Sequence, residues 1–243
     1  MAKDFVALVH AGGQVIKGGN DLFGIGKSTL DAVKNLYTVT QHVRFHMFLR
    51  ACKAELERQG RLSTDSELEL ITWFESQFGR EHAYEFIRRA IEAGSEITRA
   101  AMGRLYVQCA TKPIQGVTTD ELATLRAYET LDDASARLIL YLEKSFPVGS
   151  QTPDNIRWPH GVLEVPRDEA NRRKKDLLER FGVDTEDDLE DRLDEFGRLS
   201  MYRVSRGFSS SGSVSIVRNK RTAAFLDNLR WAVQLVEPTS DLV

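Results

Sequence analysis

The feature that most constrains this chain is the spacing of its apolar residues between Thr29 and Gln59. Leu30, Val33, Leu36, Tyr37, Val43, Met47, Phe48, Cys52 and Leu56 recur at intervals of three and four. That spacing puts them on one side of a 3.6-residue helix and is incompatible with a strand, whose faces alternate every second residue. It predicts an amphipathic helix of roughly eight turns. Gly60 ends the pattern.

The same logic extends along the chain. Thr64-Asp65-Ser66-Glu67 reads as a capping box, in which the threonine oxygen accepts an amide hydrogen bond and the glutamate reaches back. It opens a helix that closes at Phe78-Gly79. A single helix is predicted from about Glu81 to Ala110, with Phe86, Ala90, Ile97, Ala101 and Leu105 along its stripe. Thr118-Thr119-Asp120-Glu121 is another capping box and starts the segment that ends at Phe146. Asp132-Asp133 divides that segment into two helices, because aspartate favours caps over helix interiors.

From Phe146 to Pro166 the texture changes. Pro147, Gly149, Pro153, Pro159, Gly161 and Pro166 punctuate the stretch, so residues 147–166 read as a linker. Ile156 and Trp158 within it imply packing against a neighbour. Helices follow around residues 168–181 and 184–196. Leu199 to Arg206 and Ser213 to Arg218 alternate as two short strands around the turn at residues 207–212. A last helix runs from Arg221 to Val236. The expected organisation is mainly α: a helical body over residues 1–146 with a Gly-rich N-terminal segment, a linker over 147–166, and a winged-helix-like helix–hairpin–helix domain over 167–243.

Several chemical motifs are approached and missed. Asp21 to Ser28 ends in Gly-Lys-Ser, but a phosphate-binding loop needs glycine where Asp21 stands, and a carboxylate there opposes phosphate. A Gly-Ile-Gly turn leading to a Ser28 or Thr29 cap accounts for the segment, with Lys27 as the residue to test for nucleotide binding. His42 and His46 lie one helical turn apart with Cys52 beyond them, yet further ligands are not evident in the spacing. The chain has no Gly-x-Ser-x-Gly elbow and no arginine followed by histidine four to six residues later. These readings assign no catalytic residue, no cofactor and no metal.

Charge is informative only locally. The overall balance of 33 basic against 36 acidic residues exerts no global pull on nucleic acid or anionic membrane. Cys52 and Cys109 sit in helical patterns as small buried residues of a reducing compartment, and no apolar run reaches membrane-spanning length, so the expected location is cytoplasmic. Membrane contact by the Gly-rich N-terminal segment is a lesser expectation, because the glycines of the first forty residues interrupt the continuous apolar face that a membrane-surface helix needs. From residue 198 onward the charge turns basic: Arg198, Arg203, Arg206, Arg218, Lys220 and Arg221 gather around the hairpin as candidate contacts to a partner or to nucleic acid. The helix before the hairpin is strongly acidic, and in a DNA-reading winged helix that position supplies the recognition helix. Phosphates would repel it.

One resemblance accumulates from these segments. It runs through Val43-Arg44-Phe45-His46-Met47-Phe48-Leu49, Thr98-Arg99-Ala100-Ala101-Met102-Gly103-Arg104-Leu105, Thr118-Thr119-Asp120-Glu121-Leu122 and Leu189-Glu190-Asp191-Arg192-Leu193-Asp194-Glu195-Phe196-Gly197-Arg198-Leu199. Their order is similar to bacterial helical proteins linked to phage defence, such as the abortive-infection alpha family. The resemblance implies a helical body with a small helix–hairpin–helix end, a role in antiviral defence, and no catalytic residue to carry over. The leading expectation is a non-enzymatic component that binds a protein partner or its own copies. A winged-helix nucleic-acid-binding regulator is the alternative.

Overall fold

A computed structural model describes residues 39–62, 80–112, 116–145, 155–158, 175–177, 179–183, 186–206, 214–218 and 221–240. The segment around Lys27, the second predicted helix and the first part of the long N-terminal helix lie outside them. The described part is mainly helical.

Helix α1 spans Val39–Arg58. Its end follows from Gly60, which takes φ +67° while the amides of Gly60 and Arg61 bond to the carbonyls of Glu57 and Leu56, both at 2.9 Å. Glycine adopts that left-handed backbone without a Cβ penalty, and the paired bonds satisfy carbonyls the helix would otherwise leave open.

The single helix expected over residues 81–110 is two helices, α2 at Arg80–Glu92 and α3 at Glu96–Thr111. The break lies at Ala93-Gly94-Ser95. Ser95 Oγ accepts from the Thr98 amide at 3.0 Å, which caps α3, and it also donates to Asp133. Two facing apolar stripes in consecutive helices merge into one apparent periodicity, while the serine cap carries the competing signal.

The Thr118 capping box forms as expected and opens α4, Thr119–Thr130. The division at the aspartate pair is also as expected. Asp132 Oδ1 accepts from the Ser135 amide at 2.6 Å, and α5 runs over Asp133–Ser145. The neighbouring Asp133 Oδ1 accepts from the Ile97 amide of α3 at 3.2 Å, so the aspartate pair serves two helix starts.

Strand β1 is Asn155–Trp158, inside the stretch read as a linker. Helix α6 is Glu186–Arg198, β2 is Tyr202–Arg206, β3 is Val214–Arg218 and α7 is Thr222–Val236. The strands form an antiparallel sheet in the order β1-β3-β2. Isolated hairpins are marginal in water, and the third strand extends this one into a sheet.

The core is centred on α3, buried over Ile97–Val107 with α1, α2, α4, α5 and α7 around it. Gly103 allows the closest approach. A Cβ there would stand 2.6 Å from the Phe48 carbonyl oxygen and 2.8 Å from Ala51 Cβ. The core continues from Phe45, Phe48 and Tyr106 through Tyr128 to Phe225, Leu229 and Val233. Packing therefore crosses the stretch at residues 147–166, and α7 lies against α3 and α5 of the helical body.

Candidate interaction surface

Strand register decides how the basic residues of the hairpin are distributed. Cross-strand partners share a face, so one face of the sheet carries Tyr202, Val204 and Arg206 on β2, Arg218, Ile216 and Val214 on β3, and Ile156 and Trp158 on β1. The other carries Arg203 and Ser205, Val217 and Ser215, and Asn155 and Arg157. The first face is mostly apolar and the second mostly polar.

Tyr202 shows which face meets the body. It is buried, and its hydroxyl donates to Glu143 Oε1 on α5 at 3.1 Å. The chain enters β2 from Ser200, at φ +59°, and Met201, whose carbonyl accepts from the Thr222 hydroxyl at the start of α7. The polar face, with Arg203 and Arg157, is the one opposite Tyr202.

The predicted contact residues therefore fall into separate places. Arg203 lies on the polar face, whereas Arg206 and Arg218 lie on the Tyr202 face at opposite ends of the hairpin. Arg198 is exposed in the last turn of α6, where a cation suits the helix dipole. Arg221 stands at the N-cap position of α7, with its Nε 2.8 Å from Asp120 Oδ1 on α4. Lys220 lies outside the described residues. The hairpin contributes one of the expected arginines to the polar face, and β1 contributes a second, Arg157. Sequence reading missed Arg157 because it sits among prolines and glycines. The alternation Ile156-Arg157-Trp158 was the available signal.

Charge on α6 has the opposite sign. The helix carries seven carboxylates against Arg192 and Arg198. Its inner side is anchored to the body: Phe196 is buried, and Arg192 donates to Ser135 Oγ of α5 at 3.0 Å. Asp188 and Asp191 are exposed; Asp188 stands one helical turn before Arg192 on the same side, and Asp191 points away from Phe196. The three strands hold four arginines and no carboxylate.

Titratable groups of the helical body are committed to its structure. Glu55 is fully buried; its carboxylate accepts from Arg58 at 2.7 Å and Gln59 at 2.9 Å and lies 3.4 Å from Arg104 Nε. Burial opposes its ionisation, but the hydrogen bonds from Arg58 and Gln59 and the Arg104 charge outweigh that and hold its pKa below the ordinary carboxylate value. Arg104 continues to Asp227 on α7 at 3.0 Å and lies over the Trp231 ring at 5.2 Å. Glu121 is the capping-box acid and pairs with Lys112 at 2.7 Å. His46 is half-buried, and burial with the nearby Arg50 charge lowers its pKa. Cys52 and Cys109 are buried thiols, and burial raises both pKa values, which suppresses the reactive thiolate. Among the described residues no cluster of three or more metal-ligating side chains occurs, and no helix is long and apolar enough to cross a membrane. The side chain of His42 lies outside the described set.

Comparison with known proteins finds no family model, no curated protein and no solved structure that matches this chain.

Proposed function

We propose that the segment from α5 to α7 is a winged-helix-like unit that has been turned from DNA reading to protein binding. The element order supports this: helix α5, strand β1, helical residues at 175–177 and 179–181, helix α6, then the hairpin β2–β3, with β3 between its neighbours. Winged helices share that order, with the helix before the hairpin entering the major groove. The observation that carries the functional reading is the pair of exposed carboxylates on α6, Asp188 and Asp191, in the helix that a recognition helix would correspond to. Carboxylates held there repel phosphates at close range. Arg157 and Arg203 share a sheet face by register, and arginines so placed are of a kind that recognises acidic protein segments.

In this reading the protein is a non-enzymatic interaction component. The resemblance to abortive-infection proteins supports a setting in bacterial phage defence. Two measurements test it. Titrating the full chain into labelled duplex DNA at low salt gives no saturable binding. Cells expressing the chain resist phage, and Arg157→Glu with Arg203→Glu abolishes resistance at unchanged protein level. Saturable, steeply salt-dependent DNA binding lost on Arg203→Glu would instead favour a nucleic-acid regulator, the reading that the arginines of the sheet support.

A further inference from the structure

Two guanidinium groups of the helical body converge on the C-terminal end of α2. Arg44 of α1 donates through Nη1 to the Ile91 carbonyl at 3.1 Å. Arg99 of α3 donates through Nε and Nη2 to the Ala93 carbonyl, at 3.2 and 2.8 Å. These carbonyls belong to the last turn of α2 and the link after it, where a helix supplies no amide partner of its own. Cations also suit the negative end of the helix dipole. Capping therefore explains why the two arginines meet, but it uses only three of their six nitrogens.

The remaining nitrogens point to a ligand. Nε and Nη2 of Arg44 and Nη1 of Arg99 make no bond in the protein, and none of them is shut away from solvent. Arg99 is nonetheless only 5% exposed, and Arg44 is half-buried. Among the described residues neither arginine has a carboxylate within ion-pair distance. Burial and the neighbouring Arg44 charge lower the pKa of Arg99, against smaller opposing effects of Glu96 and Asp133. Asp133 Oδ1 is occupied by the Ser95 hydroxyl and the Ile97 amide, and Glu96 is exposed. A Cβ built on Gly94 would meet nothing within 4 Å, so the link between α2 and α3 is open on that side.

We propose that Arg44 and Arg99 bind a phosphoryl group at the link over residues 93–95, either free phosphate or the terminal group of a small phosphate ester. This is independent of the protein-binding reading, since it uses no residue of the sheet or of α6. Two guanidinium groups reaching in from different helices each take a separate oxygen of a tetrahedral phosphoryl group, whereas a planar carboxylate is matched by a single fork. The carbonyl bonds hold both groups in place before the ligand arrives, which lowers the ordering cost of binding.

The test is calorimetric titration of the full chain with inorganic phosphate replacing chloride at constant ionic strength. Saturable binding is expected, with a Kd on the order of 1 mM. Arg44→Gln weakens it about tenfold or more through the lost charge-assisted bonds. Glu96→Gln strengthens it by removing a nearby negative charge. Arg50→Gln leaves it unchanged, although Arg50 is an exposed arginine of the same helix that also bonds a carbonyl, that of Leu235. Methyl phosphate binding as well as phosphate identifies the terminal group of an ester as the ligand, and binding of phosphate alone identifies the free ion. Nuclear magnetic resonance of the wild type locates the site without a variant, because the Arg99 Nε–H signal moves along the same saturation curve. Circular dichroism shows whether Arg44→Gln is folded, and where it is not, the wild-type signal decides. No saturable binding at tens of millimolar overturns the proposal. Binding that survives in folded Arg44→Gln, that falls equally in Arg50→Gln, or that leaves the Arg99 signal unmoved overturns it as well.

Discussion

The ring of Tyr128 stacks on the ring of Phe225, with centroids 5.1 Å apart and planes within 13°, and the Tyr128 hydroxyl donates to the Phe225 carbonyl oxygen at 3.0 Å. The pair joins α4 to α7 across almost a hundred residues of chain. Around it, Gln108 and Asn228 exchange side-chain hydrogen bonds, and Arg137 pairs with Glu237. The C-terminal helix is thus a structural part of the helical body, and the start of β2 is tied to that body through Glu143 on α5 and Thr222 on α7.

Phe225→Ala should therefore destabilise the whole chain and not only its last helix. Loss of a buried aromatic costs roughly 3 to 5 kcal/mol. Tyr128→Phe keeps the stack and loses one hydrogen bond, for about 1 kcal/mol. Urea denaturation followed by tryptophan fluorescence and by circular dichroism reads both. Coincident transitions for Phe225→Ala support one cooperative unit, and separated transitions contradict it.

Gly103 sets the spacing of α1 and α3. Gly103→Ala would push a methyl against the Phe48 carbonyl and Ala51, and fixed backbone cannot yield as a flexible side chain would. The expected loss is about 1 to 3 kcal/mol despite the better helix propensity of alanine. A thermal midpoint equal to or above wild type would mean that the helices are not held this close.

The buried Glu55 couples acid stability to packing. Its folded pKa lies below the ordinary value of 4.5, so its contribution is present above that pH and is lost as pH falls through the folded value. His46 is also depressed, from 6.5, so the unfolded chain takes up the proton first and stability declines as pH falls below about 6.5. Denaturation profiles should show both declines. His46→Gln removes the upper one and leaves the lower. Glu55→Ala leaves Arg104 without its buried carboxylate partner and costs roughly 3 to 5 kcal/mol at neutral pH. A flat profile between pH 7 and pH 5 would contradict the assignment to His46.

Local signals were the legible part of this fold. The Thr118 box, the Asp132 cap and the Gly60 stop each act within a single turn of chain, so a few adjacent residues determine them. The break before Ser95 was hidden because α2 and α3 present apolar stripes to the same core, and a run of three-and-four spacing does not reveal a change of axis. The surface was harder still. Basic composition marks the hairpin, and alternation along β2 puts Arg203 and Arg206 on opposite faces, but which face meets the body is decided by the Tyr202 contact with Glu143, some sixty residues away. Arg157 joins Arg203 through β3, by a pairing between segments some sixty residues apart that no local pattern encodes.

The central claim is that the winged-helix-like unit contacts protein through the sheet face opposite Tyr202 and the exposed carboxylates of α6. Photocrosslinking amino acids at Ser205, on that face, and at Asp191, on α6, test it most directly in cells that respond to phage, with Val204 on the Tyr202 face as the internal comparison. The account predicts protein adducts at Ser205 and Asp191 and none at Val204. Nuclease-sensitive DNA adducts at Asp191, or equal crosslinking at Ser205 and Val204, would contradict it.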